Sequence, residues 1–154
     1  MRNGRYIMLA LLIGIFVLVM VTGINEYRTI QEIEQDLDPY IVLDGMEQKG
    51  SGELKEYYGI GSDDVEGYFL YGPVSITDVN ELAVIKANSK EQSEEIRRAV
   101  ENRNREQFTR FNGYKNQQEL LKNATIEVRG KFVLYAVGKD NRAIADAFAK
   151  AVRE

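Results

Sequence analysis

The chain has 154 residues, a net charge of −4, 44% hydrophobic and 29% charged residues, a balance that suits one globular domain plus a short appendage. It contains no Cys, His or Trp. Their absence removes the usual ligands of zinc, haem, blue-copper and iron–sulfur centres, and it excludes thiol nucleophiles, Ser-His-Asp triads, disulfides and a lipid anchor on Cys.

The charges are unevenly placed. Of the 20 basic residues only Arg2 and Arg5 precede the first apolar run, and all 24 acidic residues follow it. The rest of the chain therefore carries 18 basic against 24 acidic groups, a net −6. Nucleic acid and anionic lipid surfaces recruit clustered excess Lys and Arg, so no nucleic-acid partner is expected.

Residues 1–5 read as a cytoplasmic tail. Tyr6 to Asn25, YIMLALLIGIFVLVMVTGIN, hold no charge for twenty positions, enough to cross the hydrocarbon core of a bilayer as a helix. Tyr6 and Tyr27 suit the two interfaces, and Arg2 and Arg5 keep the N-terminus in the cytoplasm. The expectation is a single-pass anchor at residues 6–25, with the remainder outside. A cleaved signal peptide is the alternative, although its apolar core is shorter than this run.

Residues 26–39 form a short helix or stalk. Thr29 and Glu32 make a capping box, Ile30, Ile33 and Leu37 follow at helical spacing, and Pro39 closes it. Residues 40–154 are the extracytoplasmic domain, in which 44–52 is a loop by composition.

Ser51 is the expected N-cap of a helix whose face carries Leu54, Tyr57 and Tyr58 and which ends at Gly59 in a left-handed residue, with Ile60 as its apolar contact. Asp63 and Glu66 make a second capping pattern, and Tyr68 to Tyr71 read as a strand ending at Gly72-Pro73. ELAVIKA, 81–87, is a further strand. SKEQ, 89–92, caps a long helix to about Phe111 whose apolar face is Ile96, Ala99, Val100, Phe108 and Phe111, with a polar gap near Arg103 and Asn104.

In that helix Glu94/Arg98, Glu101/Arg105 and Glu106/Arg110 stand at i,i+4, which predicts a neutralised, solvated face rather than a phosphate site. ATIEVR, 124–129, alternates as an edge strand, and FVLYAV, 132–137, is apolar on both faces and therefore central. Asp140 or Asn141 caps a last helix with the stripe Ile144, Phe148, Ala151 and Val152. The order ββα-ββα predicts an α+β domain with a four-stranded, mainly antiparallel sheet and helices on one face.

No Gly-rich phosphate loop and no S-x-x-K motif occurs, and Asp63, Asp64 and Glu66 lack the spacing of a calcium loop. No catalytic, cofactor or metal residue is assigned. The rings of Tyr57, Tyr58, Tyr68, Phe69 and Tyr71 form the candidate interaction surface. Tyr68 and Phe69 point to opposite faces of a strand, so some of these rings stay exposed or need another segment to cover them.

LKEYYGIGSDDVEGYFLY, followed by NELAVIKA and VRGKFVLYAVG, resembles a bacterial domain-of-unknown-function family, number 4358, of small exported or membrane-anchored proteins. Leu54, Tyr58, Gly59 and Ile60 carry the resemblance, with Glu81 opening the second strand. It implies export and a small α+β domain and supplies no activity. Many members carry a lipoprotein Cys, where this chain has an apolar span. The leading expectation is a non-catalytic module that binds a protein or cell-envelope component. The alternative is an envelope hydrolase with paired carboxylates.

Overall fold

A computed structural model describes residues 27–43 and 45–153. The expected membrane span at 6–25 lies outside them, and no helix among the described residues is long and apolar enough to cross a membrane.

The domain is built on five strands: β1 (Met46–Gln48), β2 (Gly67–Pro73), β3 (Glu81–Lys86), β4 (Thr125–Arg129) and β5 (Phe132–Val137). They form one antiparallel sheet in the order β1-β2-β3-β5-β4. The helices are α1 (Ile30–Leu37), α2 (Ser51–Tyr58), α3 (Lys90–Arg110), α4 (Lys115–Lys122) and α5 (Asn141–Ala151), with 3-10 turns at Asp38–Tyr40 and Ser62–Asp64. As expected, β5 is central and β4 lies at an edge.

Two expectations are corrected. The sheet has a fifth strand, β1, inside the segment read as a loop. Its three residues MEQ carry no apolar alternation, and only backbone pairing (Met46 with Pro73, Gln48 with Tyr71) makes them a strand. The helices cover both faces, not one. Every residue of β3 and β5 is buried, so each strand needs a layer on either side.

Ala83, Ile85, Val133, Tyr135 and Val137 point to one side and pack with Leu54 of α2, Ile96 and Val100 of α3 and Leu121 of α4. Leu82, Val84, Phe132, Leu134 and Ala136 point to the other and pack with Ile33 and Leu37 of α1 and Phe148 of α5. Ile33, Leu37 and Phe148 are fully enclosed, and each such side chain contributes about 1.5–3 kcal/mol over its exposed state. Arg28 ties the start of α1 to the end of α5 by donating from Nη1 to the Ala151 carbonyl at 2.6 Å.

Local signals explain the ends. The Thr29–Glu32 capping box is formed. Gly50, not Ser51, is the N-cap of α2, because the Glu53 carboxylate takes the Gly50 N–H at 3.0 Å. Gly59 stops that helix at φ 72°, a conformation glycine adopts without a Cβ penalty.

Ser89 caps α3 by accepting from the Gln92 N–H at 3.1 Å. Along α3 the expected i,i+4 pairs are not the ones formed: Arg97 bridges Glu94 and Glu101 instead, and Glu106 accepts from Asn102. Asp64, not Glu66, closes the acidic turn by accepting from the Gly61 N–H. Glu66 reaches Lys86 at 2.7 Å and Lys131 at 2.9 Å.

Candidate functional site

The five rings singled out in the sequence do not make one surface. Tyr57, Tyr58 and Tyr68 lie on the α2/α3 side of the sheet, Phe69 and Tyr71 on the α1/α5 side. Tyr58 and Phe69 are buried, and Tyr57, Tyr68 and Tyr71 are half-buried. Alternation along β2 imposes this split. Tyr71 donates to Glu34 of α1 at 2.7 Å, and burial together with that carboxylate pushes its phenol up to about 12. α1 thus covers the rings on its side.

On the other side the rings belong to a buried polar cluster. Glu81, the first residue of β3, is 3% exposed. Its Oε1 accepts from the Tyr58 hydroxyl, and its Oε2 accepts from Arg103 Nη2 at 2.8 Å and Nε at 3.3 Å. The Arg103 guanidinium lies 3.8 Å from the centre of the Tyr57 ring, within cation–π range. Turned so that its oxygen faces the guanidinium, Gln107 accepts from Arg103 Nη1 and Nη2 at 2.6 Å. Tyr135 donates to Asn104 at 3.0 Å, and Asn104 donates to the Leu121 carbonyl at 3.2 Å.

Burial, reinforced by the Glu81 charge, pushes the Tyr58 and Tyr135 phenols up. Burial alone would lower Arg103, but the Glu81 carboxylate outweighs it and holds the guanidinium above its ordinary value. Tyr58, Tyr135 and Arg103 therefore all keep their protons at neutral pH. A carboxylate held by a phenol and a guanidinium is a structural device. It joins α2, β3 and α3.

The sequence signal for the cluster is the polar gap in α3. Ile96, Val100, Arg103, Gln107 and Phe111 recur at helical spacing, so Arg103 and Gln107 sit on the inward stripe.

A cleft opens at the end of the sheet where β3 begins and β5 ends. Its volume is about 140 Å³, with Ile41, Val42, Leu82 and Ile144 among its apolar lining and Asn80, Lys139, Asp140 and Asn141 among its polar lining. Asn141, the first residue of α5, is 8% exposed. Its Nδ2 donates to the Asn123 carbonyl at 2.9 Å, which fixes the amide's orientation and leaves Oδ1 buried without a donor. A methyl added at Gly138 would lie 3.8 Å from that Oδ1 and 3.9 Å from Asn80 Oδ1, so both amide oxygens converge on Gly138. No side chain caps α5.

Beside the cleft, two loops meet where the Val74 N–H donates to the Gly45 carbonyl at 2.9 Å. They expose Tyr40, Val42, Leu43, Val74 and Ile76, five of the eight large hydrophobic side chains exposed among the described residues. Sequence reasoning passed over these residues because they lie in short loops without periodicity. Among the described residues no group of three or more acidic side chains could hold a metal ion.

Sheet, helical layers and cleft define a small three-layer α+β domain whose polar interior is committed to its own architecture. The chain belongs to the family described as Domain of unknown function (DUF4358), whose model matches residues 39–138, from the turn after α1 to the end of β5. No curated protein and no solved structure matches it.

Proposed function

We propose that this chain is a non-catalytic binding module, held at the outer face of a membrane by residues 6–25, which engages a protein or cell-envelope component through the loops at 40–43 and 74–76. The observation that carries the reading is the concentration of exposed apolar side chains there, with Ile76 84% exposed. Contiguous exposed apolar surface on a small domain marks an interaction site. The half-buried rings of Tyr57, Tyr68 and Tyr71 are anchored to the fold by Arg103, by the core on the α2/α3 side and by Glu34 respectively, which favours the loops over the rings as the contact.

The twenty uncharged residues from Tyr6, preceded by Arg2 and Arg5, support the anchor and its orientation. An envelope hydrolase would require two free carboxylates about 5–10 Å apart across a cleft. Glu81 and Asp140 both line the cleft, but both oxygens of Glu81 are engaged by Tyr58 and Arg103.

The test uses the full chain in intact cells, with a photo-crosslinking side chain placed at position 76. The expected result is one discrete cross-linked species, abolished by Val42→Ser with Val74→Ser, together with cleavage of the domain by protease added outside. An unchanged adduct in the double variant refutes the contact surface. A domain protected until the cells are lysed refutes the orientation.

A further inference from the structure

We propose that β4 pairs with β4 of a second copy of this chain, antiparallel about a two-fold axis at Val128, so that the two sheets become one. The argument begins with the edges of the sheet, β1 and β4. An open edge is a template for another strand, and proteins blunt it with very short strands, proline, bulges or lysines. β1 is three residues long and meets Pro73 at its first pair. β4 runs for five residues in unbroken register with β5, without proline, glycine or bulge. All five are half-buried, so the edge is reachable along its length.

The backbone of β4 is phased for such a contact. The Ala87 N–H donates to the Lys131 carbonyl at 2.8 Å, so Lys131 faces β3. Backbone groups change sides at each residue of a strand, so Phe132 faces β4 and bonds with its register partner Arg129. The same alternation turns the N–H and C=O of Val128 and Ile126 away from β5, toward the open edge. No turn or loop bond among the described residues takes them up.

Charge selects the register and the occupant. Ile126 and Val128 can meet outward-facing residues of a second copy when the axis lies at Ile126, Glu127 or Val128. An axis at Glu127 sets two carboxylates directly opposite each other, which is destabilising. An axis at Ile126 sets Glu127 against Thr125 and leaves Arg129 beyond the start of the other strand. An axis at Val128 sets Glu127 opposite Arg129 and Arg129 opposite Glu127, so the strand is its own complement in charge.

Glu127 and Arg129 share one face of β4 and already pair within the chain, with side chains 24% and 26% exposed, so both can reach across the axis. β4 lies at the opposite edge from β1 and the apolar loops beside it. The self-contact therefore goes beyond the partner surface proposed above and does not depend on it.

The chain has no Cys, so introduced thiols report alone. With the axis at Val128, positions 127 and 129 of the two copies form a non-hydrogen-bonded pair about 4.5 Å apart at Cα, within disulfide reach. Positions 127 and 127 lie diagonally, about 7–8 Å apart, beyond it. Full chains carrying Glu127→Cys and Arg129→Cys are co-expressed with different tags and oxidised in detergent. A disulfide joining the two tags is expected, with little product when either variant is expressed alone.

Sedimentation equilibrium of the full chain in detergent should show a dimer. Glu127→Arg or Arg129→Glu alone should weaken it by about tenfold or more, since each creates two like-charge pairs. An equal mixture of those two variants should restore it, because their charges are again opposite. Circular dichroism melting of each variant confirms that the fold is kept. A monomeric wild type overturns the proposal. So does a dimer that both charge variants leave intact, or a disulfide that Glu127→Cys forms as readily by itself. None of these outcomes bears on the photo-crosslink at position 76, so the two proposals fail separately.

Discussion

Replacement of Arg103 by Met tests the reading of the Glu81 cluster. Methionine keeps most of the stem's volume and removes the charge. What remains is a carboxylate 3% exposed, whose Oε1 still receives the Tyr58 hydroxyl while Oε2 has lost both of its donors. Breaking a buried pair from one side costs about 3–5 kcal/mol, because an uncompensated charge is left in the interior. Loss of the stacking on Tyr57 acts in the same direction, on the order of 1 kcal/mol, though the two do not simply add.

Against a total stability of about 5–15 kcal/mol, the loss is about a fifth or more of the whole. Urea unfolding of the full chain in detergent, followed by far-UV circular dichroism, should show that loss. The midpoint of thermal unfolding should fall by roughly 10 °C, at about 2–4 °C per kcal/mol. The companion variant adds Glu81→Leu and Tyr58→Phe to Arg103→Met, which leaves no orphaned polar atom among the three. Apolar replacement of a whole buried pair is often neutral, so much of the loss should return. A single Arg103→Met variant that loses less than about 1 kcal/mol, the worth of an exposed pair, would refute the argument.

Glu66 gives a pH signature. Its bond to Lys86, with Lys131 behind it, holds the carboxylate below the ordinary glutamate value. A depressed folded value means that the stabilisation is present above about pH 4.3 and disappears as pH falls through the folded value. The stability gap between the wild type and Glu66→Gln, measured by urea titration at a series of pH values, should therefore narrow toward acid. A gap that stays constant down to about pH 2 would rule out this linkage. At Gly59, φ is 72° and no atom lies within 4 Å of an added Cβ, so Gly59→Ala should cost about 1 kcal/mol from backbone strain alone. An unchanged urea midpoint would show that α2 can end in another way.

Much of the fold was legible wherever apolar residues kept a period. β2, β3, β4, β5, α1, α3 and α5 stand within a residue or two of where their patterns place them. β1 was not legible, because an edge strand of three mostly polar residues is defined by its partner and not by its own sequence. α4 was not legible either, since KNQQELLK buries only Leu121. The two-sided cover of the sheet was half visible: FVLYAV announces burial on both faces, but nothing in a pattern says which helix takes which face. The cleft was invisible, because Asn80 and the turn from Gly138 to Asn141 come from separate segments and only the strand order brings them together.

The residues that broke the local rules were the informative ones. Glu81 heads a strand that is otherwise almost wholly apolar, Arg103 interrupts the inward stripe of a helix, and Tyr58 puts a hydroxyl at a core position. Each alone would be a defect, since a buried charge or an unpaired hydroxyl costs more than its apolar contacts return. Together they satisfy one another, and the contact can form only if α2, β3 and α3 meet in a single register. Asn141 follows the same logic with one partner missing. Its Nδ2 is answered by Asn123 and its Oδ1 is not, so the local rule is broken there and the fold supplies no compensation. Arg129 Nε is likewise buried without a partner, so among the described residues these two atoms mark where the packing leaves a polar group uncompensated, in contrast to the Glu81 cluster, where each defect answers another.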